Sequence, residues 1–100
     1  YYTLPIMIDV GTDNPELLQN PRYLGWRHPR IRGKEYDKFI DDFVQVIQKK
    51  FPHSLLHWED FAQQNARRFL EKYRQVHCCF NDDMQGTAVI TLAAILSGIQ

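Results

Sequence analysis

The order of apolar and polar stretches along the chain predicts three strands, each followed by a helix. The run from Leu4 to Val10, "LPIMIDV", is apolar and rich in β-branched residues, a pattern typical of a strand buried on both faces of a parallel sheet. Similar short runs predict a second strand from Ser54 to Trp58 and a third from Val76 to Phe80. The segment from Asp13 to Lys34 is punctuated by Pro and Gly and predicts a loop, with a short helix from Pro15 to Leu18.

The remaining apolar positions have helical spacing. From Glu35 to Lys50 they recur at intervals of three and four residues, and Pro52 lies just beyond. Phe61 to Gln75 repeats this pattern, whereas Gly86 to Gly98 is apolar nearly all round and predicts a buried helix. We therefore predict the fold class α/β, with the order β-α-β-α-β-α and parallel strands joined by right-handed crossovers.

Charge and hydropathy exclude several classes of protein. The 100 residues include 12 basic and 12 acidic side chains and are 44% hydrophobic, which suits one small domain with a core. A balanced charge argues against binding to nucleic acid or an anionic membrane surface. The longest apolar run, near Ala88 to Leu96, is too short to span a bilayer. A basic cluster in the loop predicts a solvated loop or an interface; it comprises Arg22, Arg27, His28, Arg30, Arg32 and Lys34.

The two cysteines indicate a reducing compartment. Cys78 and Cys79 are neighbours in a predicted strand, where a disulfide between them would be strained. We expect reduced, buried thiols in a cytoplasmic protein. The chain also opens almost directly into a predicted strand and closes inside a predicted helix, so we expect it to be a piece of a longer chain.

Acidic residues follow two of the predicted strands. Glu59 and Asp60 come directly after the second strand, and Asp82 and Asp83 directly after the third. Both pairs should lie at the carboxyl edge of the sheet, where open α/β sheets bind ligands. Carboxylates gathered there repel one another, and no Lys or Arg is adjacent in sequence, so a divalent cation is the economical partner. Oxygen ligands favour Mg²⁺ or Mn²⁺ over Zn²⁺.

Helix capping is the competing interpretation of the same acids. Asp60 could cap the following helix, with Gln63 completing a capping box, and either Asp83 or Thr87 could cap the last helix. The pattern alone leaves metal binding and capping about equally supported. His57, between Leu56 and Trp58, is predicted to be a core histidine.

Five blocks of the sequence resemble the malic enzymes: "LPIMIDVGTDN", "YLGWRHPRI", "EYDKFIDDF", "LLHWEDFAQQNA" and "CCFNDDMQGTA". Members of that family oxidise and decarboxylate malate to pyruvate and CO₂, using NAD or NADP and Mn²⁺ or Mg²⁺. The resemblance implies a small-molecule substrate, malate, no nucleic-acid or membrane partner, and a homo-oligomeric full-length protein. It also implies that residues 1–100 are the central segment of the malate- and metal-binding catalytic domain.

The resemblance assigns roles to the acids. The family's metal ligands correspond here to Glu59, Asp60 and Asp83. Asp82 corresponds to the acid that supports the catalytic lysine, and is the catalytic residue expected in this segment. Asp83 also corresponds to a position close to the bound cofactor, and Gln63 to one within its reach.

The family's catalytic tyrosine and lysine correspond to sequence before this segment, and its nucleotide-binding fingerprint to sequence after Gln100. We therefore expect the isolated segment to be inactive. Two alternatives stay open: a malolactic enzyme, which converts malate to lactate at the same kind of metal site, and a non-catalytic α/β module. Ala88 after "QGT" favours a malic enzyme over a malolactic enzyme.

Overall fold

The computed structural model describes residues 2–99, and the chain divides into two compact units, Tyr1–Gln45 and Val46–Gln100. The helices are α1 (Pro15–Gln19), α2 (Gly33–Lys50), α3 (Gln63–Tyr73) and α4 (Thr87–Gly98). The strands are β1 (Leu56–Trp58) and β2 (Cys79–Asn81), and a π-helix (Asp82–Gly86) connects β2 to α4. Helix α2 begins in the first unit and ends in the second.

The first unit is organised around two aspartates in its extended amino-terminal segment. The carboxylate of Asp9 accepts hydrogen bonds from the backbone N–H of Trp26 at 2.7 Å and of Gly11 at 3.0 Å. Asp13 accepts from the backbone N–H of Arg30 and pairs with the guanidinium of Arg32. These two carboxylates therefore hold the polar loop to the segment that precedes it.

The strand predicted from Leu4 to Val10 is not present in the structure. No neighbouring strand pairs with this segment among residues 2–99, and its backbone carries no regular structure. Met7 is 93% exposed, although Val10 is buried and its carbonyl accepts from the N–H of Ile31. The apolar run has the composition of a buried strand. A strand also needs a neighbouring strand whose backbone groups form hydrogen bonds with it, and composition alone does not provide that neighbour.

Helices α1 and α2 follow the sequence pattern closely. Asn14 caps α1 by accepting from the backbone N–H of Glu16 and Leu17, and Pro15 occupies the first helical turn. Helix α2 begins two residues earlier than predicted, at Gly33, whose φ of +67° suits glycine. The apolar stripe of α2 is largely buried, as its helical spacing predicts; the buried members are Tyr36, Ile40, Val44 and Ile47.

The second unit contains a parallel pair of strands joined through α3. β1 pairs with β2 in the register Leu56 to Cys79, His57 to Phe80 and Trp58 to Asn81. Both strands are shorter than the predicted runs, at three residues each. The α/β class and the parallel pairing are confirmed, whereas the complete β-α-β-α-β-α order is not, since the first strand is missing.

An aromatic cluster lies between β1 and α3. Trp58 is 3% exposed and Phe69 is 2% exposed. The ring of Trp58 meets that of Phe61 edge-on, with centroids 5.1 Å apart, and the centroid of the Tyr73 ring lies 6.2 Å from that of Trp58. Burial of such side chains contributes about 1.5–3 kcal/mol each, so this cluster fixes α3 against the end of β1.

Helix α4 differs from its prediction in exposure. Its apolar composition predicts burial, yet Ile90 is 72% exposed and Val89 is 64% exposed. No part of α4 is buried within residues 2–99. An all-apolar helix exposed to water is unusual. The composition of α4 therefore indicates that its side chains favour an apolar environment, but it does not identify what would pack against them. No helix in the described part of the chain has the length and apolar character needed to cross a membrane.

The thiols are also less buried than predicted. Cys78 is exposed and Cys79 is half-buried, and both are free. Burial raises the pKa of the Cys79 thiol above its usual range. The basic cluster of the loop is exposed as expected apart from Arg30, which is half-buried. Arg27 donates to the backbone carbonyls of Leu18 and Tyr23 and so helps to order the loop.

Candidate metal centre

The candidate site lies where the two parallel strands end. β1 ends at Trp58 and is followed by Glu59 and Asp60, while β2 ends at its register partner Asn81 and is followed by two aspartates. The ends of a parallel pair point the same way, so the register brings the two acidic pairs to one edge. Glu59, Asp60 and Asp83 each present a carboxylate oxygen, and these oxygens lie within 4.8 Å of one another.

Asp60 has an unusual backbone conformation. Its φ is +58°, and it is the one non-glycine residue with positive φ among residues 2–99. The left-handed region is costly for most residues, but Asp and Asn tolerate it best. The Asp60 N–H donates to Oδ2 of Asp83 at 2.9 Å, so a hydrogen bond joins the two strand ends directly.

The capping alternative for these acids is wrong. The N-cap position of α3 is Ala62, and no side-chain hydrogen bond caps that helix. The N-cap position of α4 is Gly86, again without a side-chain cap, so neither Asp83 nor Thr87 performs this function. The carboxylates of Asp60 and Asp83 are therefore not occupied in capping a following helix.

Asn81 and Gln85 shape the turn that carries Asp82 and Asp83, and sequence reasoning did not single them out. Asn81 is 1% exposed. Its Oδ1 accepts from the N–H of Met84 at 3.0 Å, and its own N–H donates to Oε1 of Gln85 at 3.0 Å. An Asn three residues before the N–H it caps is a recognisable signal. The resulting π-helix is a rare element that is frequent at functional sites.

Asp82 belongs to a second, overlapping group. Its ligand oxygen lies within 4.8 Å of ligand atoms on Glu59 and His57, and the three side chains could also hold a metal ion. Gly86 lies so close to Asp82 that a Cβ at position 86 would be 2.4 Å from Asp82 Oδ1. All four acids that the sequence singled out are thus brought together at this edge.

His57 is not a core histidine. Its side chain is 47% exposed, and its Nε2 lies 2.8 Å from Oε1 of Glu59. The outward direction follows from the pleat, because Trp58 points into the aromatic cluster and its neighbour must point the other way. The apolar residues on either side of His57 concealed this alternation in the sequence.

The chemistry of the donor set suits a hard divalent cation. The three residues Glu59, Asp60 and Asp83 offer only carboxylate oxygens and are exposed. Within residues 2–99, no Lys or Arg forms an ion pair with them. At 4.8 Å two carboxylates repel by about 0.9 kcal/mol in water. A cation among them would convert this repulsion into attraction, and oxygen-only ligation is what Mg²⁺ and Mn²⁺ prefer.

An open depression adjoins the carboxylates. It has a volume of about 490 Å³, and Asp83 forms part of its wall together with residues of α3 and α4. The lining residues are Phe61, Gln63, Ala66, Asp83, Met84, Thr87 and Ala88. A ligand in this depression would therefore contact both Asp83 and Gln63.

The family model for the malic enzyme N-terminal domain matches residues 1–74, about three quarters of the chain. The chain belongs to the malic enzyme family. It is 56% identical over 96 residues to the NAD-dependent malic enzymes of Photorhabdus laumondii and of Shewanella sp. strain MR-4. It is 52% identical over 99 residues to NAD-dependent malic enzyme 1 of Vibrio vulnificus strain YJ016.

The similarity to malic enzymes extends over nearly the whole of this chain but over a small part of each relative. The alignments cover 96% to 99% of the chain and 17% to 18% of the relatives. The chain therefore spans about a sixth of the length of the curated relatives it matches. Glu59 and Asp60 lie within the region matched by the malic enzyme N-terminal domain, whereas Asp82 and Asp83 follow it.

Proposed function

We propose that this chain is the metal-binding segment of an NAD-dependent malic enzyme, which oxidises malate to pyruvate and CO₂ while NAD accepts a hydride. The observation that carries the proposal is the convergence of Glu59, Asp60 and Asp83 at the ends of two parallel strands. Family membership and relatives named NAD-dependent malic enzyme support the same activity. They also favour it over the malolactic alternative, and NADP remains the alternative cofactor.

In this proposal the three carboxylates bind one Mn²⁺ or Mg²⁺. Such an ion would supply Lewis-acid chemistry for a substrate oxygen. Glu59 and Asp60, which follow β1, and Asp83, which follows β2, would hold it. The hydrogen bond from the Asp60 N–H to Asp83 preorganises the two sides.

Asp82 and Asp83 have further proposed roles. Asp82 is half-buried at the same edge, and we assign it the support of the catalytic lysine that the family resemblance places in another part of the protein. Asp83 and Gln63 line the open depression beside the metal ligands, which supports their assignment to cofactor contact. We further propose a homo-oligomeric, cytoplasmic full-length protein, in which the free thiols of Cys78 and Cys79 stay reduced.

The reaction balances with these components. Malate gives up a hydride to NAD⁺ and its carboxyl group as CO₂, leaving pyruvate and NADH. Product analysis of the full-length protein tests this directly, since a malic enzyme forms NADH and pyruvate whereas a malolactic enzyme forms lactate without net NADH. Formation of lactate alone would overturn the assignment.

Metal-dependent stability tests the site separately. A ligand that binds only the folded protein stabilises it by mass action, by about 2.7 kcal/mol at one hundred times its Kd. We expect Mn²⁺ to raise the melting temperature of the wild type, and Glu59→Gln or Asp83→Asn to abolish the rise. Glu71→Gln is the matched control, because Glu71 is an exposed acid in the same unit, paired with Arg67. An equal rise in all four proteins would refute the site.

A further inference from the structure

Glu59 contacts a histidine two residues before it. Nε2 of His57 lies 2.8 Å from Oε1 of Glu59, within hydrogen-bond distance. Side chains two positions apart on an extended chain share a face, so the end of β1 and the residue after it place the two groups side by side. This contact engages one of the two Glu59 oxygens and leaves the other available.

The imidazole is itself held in place. His57 and Phe80 are register partners across the two strands. Their rings meet edge-on, with centroids 5.3 Å apart and an angle of 89° between planes. The ring contact restricts rotation of the imidazole, so its Nε2 is held beside Glu59 before any ligand binds.

We propose that His57 is a positioning residue that fixes one oxygen of Glu59 and so presents the other to the metal ion. This inference rests on the proposed function. Outer partners that hydrogen-bond a metal-ligating group fix its orientation, and their loss typically lowers metal affinity by about 10–100-fold. Since the His57 side chain is about half exposed, we expect the lower end of that range.

The structure also allows His57 itself to bind a metal, because His57, Glu59 and Asp82 can each present a ligand atom within 4.8 Å. Two observations favour positioning over ligation. Nε2 is already engaged by Glu59 at 2.8 Å, and hard divalent ions prefer the oxygen-only set that Glu59 forms with Asp60 and Asp83. The two roles differ in their response to substitution.

Two variants of the full-length protein separate the hydrogen bond from the ring contact. His57→Gln keeps an N–H donor but loses the ring, and His57→Phe keeps an aromatic ring beside Phe80 but loses the donor. The Mn²⁺ dissociation constant is measured from the electron paramagnetic resonance signal of free Mn²⁺, which requires no turnover. His53→Gln is the control, because His53 is an exposed histidine in the turn before β1.

We expect His57→Phe to bind Mn²⁺ about tenfold more weakly than the wild type, and His57→Gln and His53→Gln to bind within about twofold of it. If His57→Phe retains wild-type affinity while Asp83→Asn loses it, the positioning role is overturned and the metal site stands. If the wild type itself does not bind Mn²⁺, the proposed site fails and His57 has nothing to position. A loss in both His57 variants, with tight binding of Zn²⁺ by the wild type, would make His57 a ligand instead.

Discussion

Substituting Asp60 with Asn should have opposite effects on stability without and with Mn²⁺. The change removes a negative charge while keeping the size of the side chain and its tolerance of positive φ. The backbone N–H of residue 60 still donates to Asp83. Without metal we expect the variant to be more stable than the wild type, and with saturating metal to be less stable.

The magnitude follows from the distances in the cluster. Asp60 and Asp83 carboxylate oxygens lie within 4.8 Å, which corresponds to about 0.9 kcal/mol of repulsion in water and about half of that at physiological salt. Repulsion from Glu59 largely cancels, because Glu59 and Asp60 are also neighbours in the unfolded chain. Asp60→Asn should therefore gain about 0.5–1 kcal/mol without metal. At a Mn²⁺ concentration one hundred times its Kd, the wild type gains about 2.7 kcal/mol of folding stability. The wild type is then more stable than the variant by about 2 kcal/mol.

Urea unfolding of the 100-residue chain, followed by tryptophan fluorescence, measures both values. The chain has two tryptophans, and a Trp26→Phe background leaves Trp58, which is buried beside the site. Unfolding in EDTA and in Mn²⁺ then compares the protein that retains Asp60 with its Asp60→Asn variant. Asp60→Ala is the control for backbone strain, since Ala lacks the charge but adopts positive φ at a cost of about 1–2 kcal/mol.

Two results would refute this reasoning. If Asp60→Asn is less stable than the wild type in EDTA, repulsion does not dominate at the site. If Mn²⁺ stabilises both proteins equally, Asp60 is not a ligand.

Two further predictions concern titration and thiol reactivity. Hydrogen bonds from the backbone N–H of Trp26 and Gly11 hold the pKa of Asp9 below its usual value, so its stabilising effect is present at neutral pH and is lost as the pH falls below about 4. A ¹³C titration of the Asp9 carboxyl should give a midpoint below that of the unfolded chain, and a midpoint above it would contradict the hydrogen bonds. Burial raises the pKa of Cys79 while Cys78 is exposed, so a disulfide reagent at mildly alkaline pH should modify Cys78 first. The fast phase of thiol modification should therefore disappear in Cys78→Ser, and its loss in Cys79→Ser instead would reverse this assignment.

The parts of the fold that depend on local periodicity could be predicted from the sequence. Helix α2 begins within two residues of its predicted start and ends at the predicted Lys50, because its apolar stripe and the Pro52 beyond it are local signals. The prediction of a strand at Leu4 to Val10 was wrong because a strand also needs a neighbouring strand to pair with, and periodicity carries no information about that neighbour. The prediction that α4 is buried was wrong for the same reason, since burial of a helix depends on the residues that surround it.

The location of the candidate site could be predicted from the sequence, but its detailed geometry could not. Topology alone brings residues that follow two parallel strands to one edge, so the convergence of Glu59, Asp60 and Asp83 could be expected. The positive φ of Asp60 has no local sequence signal, and the apolar residues on either side of His57 concealed its outward direction. The buried Asn81 escaped prediction although its capping signal is local.

The brevity of the strand ladder has a consequence for ligand affinity. Three residues on each strand provide few backbone hydrogen bonds, and short elements open locally at a lower free energy than global unfolding. Local opening would separate residue 60 from residue 83 and dismantle the ligand set. The apparent dissociation constant is then the intrinsic one divided by the closed fraction. Substitutions in the ladder that touch no carboxylate would thus tune metal affinity, and a bound ion would slow amide hydrogen exchange across β1 and β2.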